Sequence, residues 1–165
     1  LVDTVADARA AGPEHDWQLD LAVLEPPAGA TQEEAEDFLP EPPLVIGDEA
    51  RLRQVVVNLL ANARVHTPAG SHVTTTLMRE SDTLIVRIHD DGPGIAPDVR
   101  DRLFERFARG DSSRERRTGS TGLGMSIALA IVQSHGGSID VDSSTASEDH
   151  GTTFTVRLPA AVVEE

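Results

Sequence analysis

The chain has 165 residues, 39% of them hydrophobic but only 3% aromatic, and carries a formal net charge of -14. That is enough for one globular domain with an aliphatic core, and the acidic surface makes nucleic acid and anionic membranes poor partners. Cysteine is absent and all 14 basic residues are arginine, which removes disulfides, thiolate chemistry, a Schiff-base lysine and the lysine of a Walker A loop.

No apolar run approaches the roughly 20 residues of a bilayer span, and no signal-peptide pattern is present. The first residue is Leu1 rather than Met, so the chain is expected to be part of something longer. Residues 1–11 read as a short helix stopped by Gly12-Pro13. Residues 17–24 read as a strand with Trp17, Leu19, Leu21 and Val23 on one face, and residues 26–43 as an acidic loop with one helical turn near 33–38. Residues 44–46 are expected to form a short buried strand ending at Gly47.

The strongest helix is 48–66: Asp48 is a good N-cap, and Leu52, Val55, Val56, Leu59, Leu60 and Ala63 recur at helical spacing. Strands over 73–78 and 83–90 follow, joined closely enough for an antiparallel hairpin. A short helix is expected over 97–104, an arginine-dense polar loop over 108–121, and a helix over 122–135. Strands over 138–141 and 152–158 close the chain, with 160–165 as a tail.

Three features carry chemistry. Residues 83–90 make an apolar strand that runs into Asp90-Asp91-Gly92-Pro93-Gly94, where glycine permits positive φ or close approach to a ligand. Asn58 and Asn62 stack one turn apart on a helix otherwise aliphatic on that stretch, and an amide oxygen is a fit ligand for a hard cation such as Mg²⁺. Thr121-Gly122-Leu123-Gly124-Met125 feeds into a helix, whose free N–H groups and positive dipole end suit an anion. Arg109, Arg114, Arg116 and Arg117 lie just before it. Each feature alone has a plain structural reading: a surface turn, core-edge amides, an ordinary connection. A dinucleotide fingerprint is disfavoured, because Pro97 stands where its third glycine would be.

Taken in order, these features resemble the ATP-binding catalytic domain of sensor histidine kinases, a family shared with type II topoisomerases, heat-shock chaperone ATPases and a mismatch-repair ATPase. The resemblance runs from about Asp48 to Leu158. Residues 51–63 look like the N box, Asp90 to Ile95 the G1 box, Leu103 to Phe107 the F box, Thr121 to Met125 the G2 box, and Gly151 to Phe154 the last glycine motif. It implies a two-layer α/β sandwich of the Bergerat type, with a mixed sheet of about five strands against three helices and a flexible ATP lid at 108–121. Residues 1–159 would be the catalytic domain.

The same resemblance implies the site. Asn62 would hold Mg²⁺, with Asn58 nearby. Asp90 would accept from the exocyclic amine of adenine, over a floor of Gly92, Gly94 and Ile95. Gly122, Leu123 and Gly124 would wrap the phosphates, and Phe107, Thr121, Met125 and Thr153 would complete the nucleotide contacts. The family often has a basic residue where this chain has Val65; Arg64 lies one place earlier. His66 takes the place of a tyrosine or histidine near adenine, and Ser120 that of a G2 glycine.

Asn58 bears on the reaction. Hydrolysing members carry a glutamate there to activate water, and a neutral amide cannot serve as general base. Transfer to a histidine on a helical dimerisation domain is therefore expected. That domain would lie upstream in a membrane-anchored homodimeric parent with a cognate response regulator, this part being monomeric and cytoplasmic. A silent nucleotide-binding regulatory module and an anti-sigma-factor-type protein-serine kinase remain as alternatives.

Overall fold

The computed structural model describes residues 1–26, 29–40, 42–105 and 122–161. Five strands form one sheet in the order β1-β2-β3-β5-β4: β1 (Asp16–Asp20), β2 (His72–Glu80), β3 (Thr83–Asp90), β4 (Ser138–Thr145) and β5 (His150–Pro159). β1 runs parallel to β2 and every other pair is antiparallel. A parallel pair needs a long crossover, and residues 21–71 supply it. Three helices cover the sheet, α1 (Val2–Ala11), α3 (Glu49–His66) and α5 (Gly124–Ser134), with short helices α2 (Gln32–Glu36) and α4 (Pro97–Arg100) between them.

The helices form where local chemistry allows. In α3 the Asp48 carboxylate accepts from Arg51 N at 3.0 Å, satisfying one orphan donor of the first turn. In α2 the Thr31–Glu34 pair makes a capping box. Helix α5 differs: its N-cap is Leu123, whose side chain has no acceptor to offer.

Burial of Leu59, Leu60 and Ala63 of α3, Ala128, Ile131 and Val132 of α5, and Val73, Ile88, Phe154 and Val156 of the sheet makes one aliphatic core. Leu59 is 0% exposed, a site where truncation to alanine costs about 2–5 kcal/mol.

Some expected boundaries move. The strand beginning at Trp17 stops at Asp20, and Ala22–Leu24 coils into a 3₁₀ turn that buries Val23 against β2. The buried strand expected at 44–46 does not form: Ile46 is 85% exposed, and Leu44 donates to the Pro42 carbonyl and accepts from Ala161 N rather than joining the sheet. A three-residue apolar run does not distinguish a strand from an extended loop. The helix expected over 97–104 keeps its helical turn only through Arg100. Strand β4 runs on to Thr145, because its polar residues 142–145 pair with Gly151, Thr152, Thr153 and His150. The β2–β3 hairpin closes through Ser81 and Asp82, with Ser81 at φ 52°.

Candidate functional site

Alternation along β3 turns Ile88 and Asp90 toward the helices and His89 outward. Asp90 is only 4% exposed. Its carboxylate accepts from Gly92 N at 3.0 Å and from the backbone of Thr152, which is opposite it in the β3–β5 ladder. Burial pushes its pKa above the ordinary aspartate range, with Asp91 adding to this, while the two backbone bonds and His89 work against it. Asp91 behaves oppositely. Its slight burial would raise it, but His72 outweighs this, donating through its backbone N at 2.8 Å and facing it with its ring at 2.9 Å. Asp90 is thus a buried acid with acceptor capacity to spare and no cation bonded to it among the described residues.

The glycine turn is held tightly. Gly94 has φ +77°, and a Cβ there would stand 2.0 Å from the Ser144 carbonyl oxygen, so no other residue fits. Ile95 N donates to Ser143 Oγ at 2.8 Å, and Ser143 Oγ donates to the Gly151 carbonyl at 2.9 Å. Ser143 also meets Thr152 Oγ1 at 2.9 Å. This bracket ties the turn to the first residues of β5.

The opposite wall comes from α3 and α5. Asn58 Nδ2 donates to the Gly124 carbonyl at 3.0 Å, which binds the middle of α3 to the first turn of α5. Asn62 lies one turn along the same flank, half-buried, with no hydrogen-bond partner among the described residues. His66 extends the row by another turn and is exposed. Gly122 has φ +67°; Met125 and Ile95 pack partly buried against the core. Ile88 shares that core with Leu59 and Ala63, so Asp90 and the asparagine row lie on the same side of the sheet.

Two expected members are elsewhere. Arg64 leaves α3 roughly 160° round from Asn62 at about 100° per residue, and its Nη1 donates to the Ala11 carbonyl at 3.3 Å. It belongs to the contact between α1 and α3. Thr153 faces outward, its Oγ1 meeting His89 Nδ1 at 2.9 Å; the threonine beside Asp90 is Thr152, 4% exposed. Phe107, Thr121 and the loop 108–121 lie outside the described residues. Ser143 and Thr152 were not named as site residues from sequence, although Thr152 lies within the last glycine motif. Thr152 could have been found by carrying the inward parity of Phe154 back two residues. An open cleft of about 540 Å³ borders the outer side of the turn, between Pro68, Pro93 and His150, and touches neither asparagine.

The family described as histidine kinase-, DNA gyrase B-, and HSP90-like ATPase matches residues 47–162. The chain belongs to this family. It is similar to the probable sensor histidine kinase TcrY of Mycobacterium tuberculosis, 48% identical over 96% of this chain and 29% of that protein. Similarity extends to the sensor histidine kinase RppB of Synechocystis, 43% identical over 68% of this chain and 24% of that protein. Among solved structures, the mycobacterial sensor histidine kinase MprB superposes with a TM-score of 0.76 at 28% identity, covering 96% of this chain and 92% of that one. The chain therefore spans under a third of these curated relatives. It is an ATP-binding catalytic domain of the sensor histidine kinase kind, with the mixed-sheet sandwich its motifs imply. No helix among the described residues is long and apolar enough to cross a membrane.

Proposed function

We propose that this domain binds ATP between the β3 turn, the Asn58–Asn62 flank of α3 and the first turn of α5, and passes the γ-phosphoryl group to a histidine on a separate dimerisation domain. Asp90 accepts from the adenine amine. A 6-oxo purine would set an acceptor against a buried carboxylate, so guanine is refused. Gly92, Gly94 and Ile95 line the base. Gly122, Leu123 and Gly124 present backbone to the phosphates, supported by the uncapped first turn of α5.

The observation that carries the choice of reaction is Asn58. Its amide nitrogen is committed to Gly124, and an amide has no basic lone pair with which to activate water. Mg²⁺ fits the neutral oxygen donors present: Asn58 offers its remaining Oδ1, and Asn62 is free of partners among the described residues. Bound there, the ion would neutralise phosphate charge. The chain's own share is positioning, with the arginines of 108–121 as further positive charge.

On this reading residues 1–159 form the catalytic domain, with 108–121 as its lid. It works on an acceptor domain and a response regulator in a homodimeric, membrane-anchored parent. The test is γ-labelled ATP mixed with this chain and a helical domain carrying the acceptor histidine. Labelled histidine should appear with the native chain and fall at least tenfold with Asn62→Ala. ATP bound without any transfer would make the domain a regulatory module instead, and unchanged transfer by Asn62→Ala would remove that residue's role.

A further inference from the structure

We propose that His15 and Thr67 are positioning residues for the adenine end of the site: His15 fixes the Thr67 side chain, and Thr67 fixes Gly92 and through it the Asp90 carboxylate. The inference rests on the adenine reading of Asp90 given above. Neither residue is among those assigned to the nucleotide above, and nothing in the motifs points to them.

Thr67 is the first residue beyond α3. Its hydroxyl donates to the Ala63 carbonyl at 2.7 Å and lies 2.9 Å from His15 Nε2. A hydroxyl has one proton. With that proton given to Ala63, the hydrogen between Nε2 and Oγ1 belongs to His15, which donates. The other tautomer would leave an N–H at Nδ1, and Nδ1 is buried with no partner among the described residues. An orphaned buried N–H is more costly than an idle lone pair.

The backbone delivers His15 to this spot. Gly70 N donates to the Glu14 carbonyl at 2.7 Å and Asp16 N to the Ser71 carbonyl at 2.9 Å, so residues 14–16 close onto the turn after α3. Buried Trp17, with its indole donating to the Gly12 carbonyl, anchors the segment from below.

The other face of Thr67 meets the site. A Cβ on Gly92 would stand 2.4 Å from Thr67 Cγ2 and 2.9 Å from Asp90 Oδ1. The Gly92 peptide is thus confined between Thr67 and Asp90 while its N–H orients the carboxylate. On the far side His150 Nδ1 donates to the Gly92 carbonyl at 2.7 Å. Loosening Thr67 gives that peptide room to turn, and the carboxylate then loses the fixed direction with which it tells an amine from a carbonyl.

The experiment is calorimetric titration of the chain with ADP and with IDP, whose base carries a carbonyl in place of the amine, alongside thermal unfolding of each variant. The native chain should prefer ADP. His15→Ala and Thr67→Val should each reduce the ADP-to-IDP preference roughly fivefold, the scale of one lost hydrogen bond, and the double variant should lose little more than either. His15→Gln, whose amide nitrogen reaches about as far as Nε2, should restore the preference. An unchanged preference in folded His15→Ala, or a His15→Gln as poor as the alanine variant, overturns the proposal. If His15→Ala does not fold, Thr67→Val decides by the same ratio. A native chain indifferent between ADP and IDP would instead sink the adenine reading of Asp90, and this inference with it.

Discussion

Replacing Asp90 by asparagine removes one charge and almost no volume. The residue is 4% exposed, and its Oδ1 accepts from Gly92 N at 3.0 Å; an asparagine oxygen can keep that bond. On the adenine reading proposed above, the other oxygen becomes an NH₂ group, a donor that would face the purine amine, also a donor. The change therefore deletes a charge-assisted hydrogen bond worth about 1.5–3 kcal/mol, or roughly 10- to 150-fold in affinity at about 1.4 kcal/mol per decade. Folding should suffer modestly: the bond from the Thr152 backbone loses its charge assistance, while removal of a buried charge relieves a desolvation cost. Calorimetric titration with ADP and an unfolding curve on the same sample give both quantities. The expectation is an unfolding temperature within a few degrees of native and ADP affinity down at least tenfold. An affinity within twofold of native, in a folded variant, would refute the role given to Asp90.

Three further outcomes follow from the same geometry. Gly94→Ala should destabilise the fold by about 2 kcal/mol or more on urea unfolding, since it imposes a positive φ on alanine and drives Cβ into the Ser144 carbonyl; a loss below about half that would mean the turn relaxes. Asn58→Ala, losing its bond to Gly124, should cost about 1 kcal/mol and roughly 3 °C of unfolding temperature, with phosphotransfer lowered as α5 loosens; an unchanged unfolding temperature would mark the bond as idle. ADP affinity should weaken as pH falls through the raised pKa of Asp90, beginning at a higher pH than an ordinary aspartate would. The linked stability runs the other way. Because the folded state holds that proton more tightly, stability relative to Asp90→Asn should decline as pH rises from the ordinary aspartate range through the raised value. A pH-independent difference between the two would contradict burial as the cause.

The asparagine helix, the strand ending at Asp90, the glycine turn and the glycine start of α5 were all legible in the sequence. Each is encoded by neighbours a few residues apart: a capping aspartate, an apolar stripe, a two-residue alternation, a glycine where no side chain fits. The lack of lysine and cysteine bounded the chemistry before any fold was drawn.

What the tertiary structure decided depends on residues far apart in the chain. Whether Thr152 or Thr153 stands beside Asp90 is a matter of β3–β5 register, and one residue of slip exchanges the faces. Arg64 was placed with the nucleotide by proximity to Asn62 in sequence, yet helical rotation and the docking of α1 carry it to the other flank. The contact of His15 with Thr67 spans 52 residues. Such contacts are set by how whole elements pack, since the free energy that selects a register or a flank comes from the buried core rather than from any local run of residues.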